Sequence, residues 1–122
     1  MKYYIITERN GFPSASDFAS RLMMQWPGTT VEQISNLEKS YALEFQVPMA
    51  HSPVEGLLDR TGSSINFEGD LRDMSEFVQW CRTLVPPHLR LIFCDEGMNG
   101  EVKVTPPMTA AEIRQAIYAS GG

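Results

Sequence analysis

The sequence predicts an α+β fold, with a mainly antiparallel sheet and its helices gathered on one face. The first reason is a plan that occurs twice. Ser16-Asp17-Phe18 opens a helical stretch that stops at Trp26-Pro27, and Ser75-Glu76-Phe77 opens another that stops at Val85-Pro86. The spacing from Phe to Pro is the same in both. The second reason is strict apolar/polar alternation after each helix, which marks strands with one covered face. The third is a capping box, Thr109-Ala110-Ala111-Glu112, which opens a last helix. Together these predict a pseudo-two-fold repeat of β-α-β-β units followed by a C-terminal helix. No linker divides the chain, so residues 1–122 read as a single domain.

Taken in order, Tyr3 to Thr7 is apolar on both faces and suits a central strand. Asn10-Gly11-Phe12-Pro13 breaks it. Ser14 caps the first helix, and Asp17 sits in the first turn, where the helix dipole favours an acid. Ala15, Phe18, Ala19, Leu22 and Trp26 form its apolar stripe. Thr29 to Ser35 reads as a strand, and Tyr41, Leu43, Phe45 and Val47 alternate with polar residues in the next. Val54 to Arg60 reads as a short edge strand weakened by Gly56. Ile65 and Phe67 follow a turn at Thr61-Gly62-Ser63. Asp70 or Asp73 caps the second helix, and Asp73 with Glu76 has the spacing of a capping box. Met74, Phe77, Val78, Cys81, Leu84 and Val85 form its stripe. Leu89, Leu91 and Phe93 lead into a hairpin at Asp95–Gly100, and Val102 and Val104 return from it. Ile113, Ala116 and Ile117 give the last helix a narrow stripe.

Composition excludes several classes. Hydrophobic residues make up 43% and charged residues 20%, so the chain can bury a core and is not a disordered tract. The net charge of −5 argues against direct nucleic-acid binding and for basic partners. No apolar run reaches membrane-spanning length, and Met1 to Ile6 is too short for a signal sequence, so a cytoplasmic location is expected. Cys81 and Cys94 lie on apolar elements without metal-ligand spacing and are expected as free thiols. A helix packed on its neighbouring strand leaves a disulfide between them open at this stage.

Candidate chemistry is sparse. His51 and His88 stand apart from any Ser, Cys or carboxylate at dyad spacing, and no phosphate loop or nucleophile elbow is present. We therefore expect no catalytic residue, no metal and no cofactor. The candidate partner-binding surface is the hairpin with Asp95, Glu96, Met98 and Glu101, with Trp80, on the flank of its helix stripe, as an aromatic anchor. A second acidic group, Glu68, Asp70, Asp73 and Glu76, is better explained by helix capping.

The run Leu91-Ile92-Phe93-Cys94-Asp95-Glu96-Gly97-Met98-Asn99-Gly100-Glu101-Val102, followed by Thr105-Pro106-Pro107-Met108-Thr109-Ala110-Ala111-Glu112-Ile113, resembles the closing hairpin and helix of small bacterial immunity proteins of the SitI3-like kind. The resemblance covers the last quarter of the chain. It implies a cytoplasmic, non-catalytic protein that binds and neutralises a cognate toxin, and it carries no functional residue across. The acidic balance is compatible with a basic toxin. Two alternatives stand beside this expectation. One is a small enzyme or ligand-binding domain with a pocket between sheet and helices, using His51 or His88. The other is a homodimeric regulatory or structural subunit that pairs through a sheet edge or face.

Overall fold

A computed structural model describes residues 2–97 and 99–121. Local chemistry sets the helix limits. Ser14 Oγ accepts from the Asp17 amide, and α1 (Ala15–Gln25) buries Phe18, Ala19 and Leu22 before Pro27 ends it. In α2 (Leu71–Leu84) the cap is Asp70, whose carboxylate accepts from the Arg72 amide. The capping box expected from Asp73 and Glu76 does not form there. One turn into the helix, Asp73 points inward and is buried. In α3 (Ala110–Ala119) the Thr109–Glu112 box closes in both directions, and Ile113 and Ile117 are buried.

The strands are β1 (Lys2–Ile6), β2 (Thr30–Gln33), β3 (Tyr41–Val47), β4 (Val54–Asp59), β5 (Ser64–Glu68), β6 (Ile92–Asp95) and β7 (Glu101–Lys103). They form one seven-stranded sheet in the order β2-β3-β4-β5-β1-β6-β7, antiparallel at every pairing. The period of two fixes which residues meet the helices. Leu43, Leu58, Ile65, Ile5, Phe93 and Val102 form one cross-strand row, and each is buried. Phe77 of α2 stacks on Phe45 and meets Phe67 at a tilt, and Phe18 of α1 also meets Phe45. The helices thus cover one side of the sheet, and that side holds the core.

Two sequence expectations about the sheet change, while that of free thiols holds. Val54–Asp59 is an internal strand, not an edge. Gly56 is what makes this possible, because a Cβ there would stand 2.5 Å from Phe45 Cζ. The apparent repeat is one of element order and not of topology. After α1 the first strand, β2, lies at the edge, whereas after α2 the first strand, β6, lies inside and β7 at the edge. A two-fold axis would exchange strands that occupy different places in the two units. Finally, Cys81 sits in the core, while Cys94 is out of phase with inward-facing Phe93 and points to the other side of the sheet. Both are free and buried, and the sheet lies between them.

Candidate functional site

The expected hairpin surface does not stay together as one patch. Asp95 shares the inward phase with Phe93, and its Oδ1 accepts from the amides of Asn99 at 2.8 Å and Gly100 at 3.4 Å. Its carboxylate organises the turn. Its charge also reaches the buried Tyr3 phenol, whose pKa is raised by burial first and by Asp95 second. Glu101 has the opposite phase, paired to Cys94, and faces away from the helices. Glu96 is exposed, and its amide donates to the Lys2 carbonyl at 3.1 Å. Met98 lies outside the described residues. Trp80 is half-buried and packs edge-on to Phe18 and Trp26, with centroids at 5.7 and 5.1 Å. It joins α1 to α2, so much of its ring is already occupied.

The structure brings His51 to Asp73, which sequence spacing did not suggest. Asp73 is only 1% exposed. Its Oδ2 accepts the His51 and Ser52 amides at 2.9 Å each, and its Oδ1 lies 2.9 Å from His51 Nδ1. The Asp70 amide donates to Ser52 Oγ at 2.7 Å. His51, Asp70 and Asp73 place potential metal-ligand atoms within 4.8 Å of one another. The oxygens of both carboxylates are already engaged, however. Arg72 holds both oxygens of Asp70, at 2.9 Å each, and keeps its pKa below the usual carboxylate range. The positive end of α2 also disfavours a cation here. Such an arrangement clamps the 48–53 loop onto the helix start. Among the described residues the His51 ring is hydrogen-bonded to Asp73 alone, and no hydroxyl or thiol is bonded to it as a nucleophile would be. His88 is exposed in the turn after α2.

Another candidate surface is the side of the sheet away from the helices. Register places Thr30, Gln46, Glu55, Glu68 and Lys2 in one cross-strand row. Glu32, Glu44, Leu57, Asn66 and Tyr4 form the next. Sheet twist makes these strands into a basin of about 480 Å³. Glu32 stands directly opposite Glu44, and Glu55 directly opposite Glu68. Like charges in that position repel. Among the described residues the ion pairs join Asp17 to Arg21, Asp70 to Arg72 and Asp73 to His51, and none takes up these four glutamates. Period two could have flagged each glutamate as outward-facing. Which strands lie side by side is what groups them, and that is set by long-range pairing.

The chain matches no family model, no curated protein and no solved structure.

Proposed function

We propose that this is a non-catalytic protein-binding module, and that within this class it neutralises a cognate bacterial toxin, as immunity proteins do. One observation carries the first step: a broad sheet face left open by the helices, concave, and carrying carboxylates that no ion pair among the described residues takes up. A face of this kind is suited to a macromolecular partner. The second step rests on the resemblance of the closing hairpin and helix to SitI3-like proteins and on the net charge of −5. Short edge strands with charged side chains, Glu32 in β2 and Glu101 and Lys103 in β7, disfavour self-pairing through an edge.

The test is capture of the native partner from the source organism on immobilised protein, followed by calorimetry with the purified partner. A single protein bound stoichiometrically, and inhibited in its own toxic activity, is the expected result. Turnover of a small substrate that disappears in Asp73→Asn and His51→Gln variants with unchanged fold would overturn the reading in favour of an enzyme.

A further inference from the structure

We infer that the β2–β5 part of the open sheet face receives an arginine-bearing segment of the protein partner. This inference rests on the protein-binding reading above and adds to it the place and the chemistry of the contact.

The geometry argues for a cation with a particular shape. Two like-charge glutamate pairs occupy adjacent rows of the sheet, Glu32 with Glu44 and Glu55 with Glu68. Cross-strand neighbours of this kind have Cβ atoms about 4.5–5.5 Å apart. The single cation in these rows, Lys2, lies at one end opposite Glu68 and is exposed. Beside both acidic pairs lie Leu57 and Asn66, directly paired and half-buried on the floor of the basin: they continue the Glu32–Glu44 row and stand two residues along β4 and β5 from Glu55 and Glu68. An arginine laid across this floor would rest its aliphatic stem on Leu57 and offer its fork of donors to a carboxylate pair. Lysine provides a compact, strongly hydrated charge with no such fork, so it fits less well. The unbound protein bears the repulsion within each pair, and a cationic segment relieves it. The face should therefore weaken the free fold and strengthen the complex.

The experiment has an arm without a partner and an arm with a defined probe. A Glu44→Gln/Glu55→Gln variant breaks both pairs. A Glu8→Gln/Glu76→Gln variant removes the same charge from exposed positions away from this face. At low ionic strength the first variant should melt about 2–4 °C above the parent, and the gap should close as salt is added. The control should not gain. Hexa-arginine titrated into isotopically labelled protein should shift the amides of residues 32, 44, 55, 57, 66 and 68. Its affinity should fall about tenfold or more in the first variant, much less in the control, and it should exceed that of hexa-lysine for the parent. Absence of the stability gain overturns the inference, and so does equal loss in both variants. Shifts centred on residues 95–101 overturn it too and return the contact to the hairpin. A captured native partner that binds Glu44→Gln/Glu55→Gln as tightly as the parent removes this surface while leaving the protein-binding reading intact. Failure to find any protein partner, with catalytic turnover present, removes that reading itself.

Discussion

Single side chains in this protein hold backbone that the sheet cannot satisfy. Arg82 is 5% exposed and forms no ion pair among the described residues. Its guanidinium donates to the carbonyls of Val85, Pro86 and Leu89 at 2.6–3.1 Å, so it closes the end of α2 and the turn after it. Burial pulls its pKa down, yet an arginine stays charged. Arg82→Met removes the donor to all three carbonyls, of which Pro86 keeps the Leu89 amide, and should lose about 2–4 kcal/mol in urea unfolding, with Arg82→Lys in between. Arg60 does the same work at the β2–β3 loop, donating to Ile34, Asn36, Lys39 and Tyr41 carbonyls. Asp59 performs it with the opposite charge at the β4–β5 turn. Burial alone would raise its pKa, but bonds from Thr61 and from the Ser63 and Ser64 amides together hold it below 3.8. Folding therefore favours the ionised form. That contribution is complete above the unfolded-state pKa and is lost as pH falls through the lower folded value. Asp59→Asn should cost about 1 kcal/mol near neutral pH, and the difference from the parent should start to shrink as pH falls below about 4 and vanish only below the lower folded-state pKa. Equal gaps at neutral and strongly acid pH, measured by chemical denaturation, would reject this account.

At the level of elements, Gly56 shows how a residue that reads as a strand breaker can be a packing requirement. Phe45 and Phe67 flank it on neighbouring strands, and the Phe45 ring occupies the space of its missing side chain. Gly56→Ala should destabilise by about 1–3 kcal/mol, because Phe45 must leave its place against Phe18 and Phe77. A thermal melt equal to the parent would show that the ring can move freely. The sequence disclosed the elements well, since caps at Ser14 and Thr109, breakers at Pro27 and Pro86, and period-two runs are local signals. It disclosed partners poorly. Two units with matching order, each a strand, a helix and two strands, suggested symmetry that the pairing order denies. Whether β2 or β3 faces outward depends on β4 docking beside β3, an event no local pattern encodes. The same limit hid the candidate surface. Glu32, Glu44, Glu55 and Glu68 are scattered singly along the chain, while Asp95, Glu96 and Glu101 are neighbours in sequence that the hairpin separates.

On the scale of the whole molecule, a two-layer arrangement leaves one broad sheet face uncovered by the helices, and it is this face that we propose meets another protein. β1 has a separate importance. It lies between β5 and β6 and pairs with both. On one side of it β2, β3, β4 and β5 follow one another as neighbours in both sequence and space, and on the other side β6 and β7 form a hairpin. Deleting residues 2–6 should thus convert a cooperative unfolding transition into a weak, non-cooperative one by circular dichroism, since no other strand joins the two groups. A further consequence concerns the order in which the ribosome delivers the parts. β1 is made well before both of its neighbours: it has none until residues 64–68 are made, and its other edge waits for residues 92–95. Meanwhile Tyr3 and Ile5, which end up buried, are without their partners on the growing chain. Proteins are often thought to fold from the leading end as they are translated. Here β1 waits for β5 on one edge and for β6 on the other, so a chain stalled before β6 keeps an unpaired strand edge, open to chaperones and to mispairing.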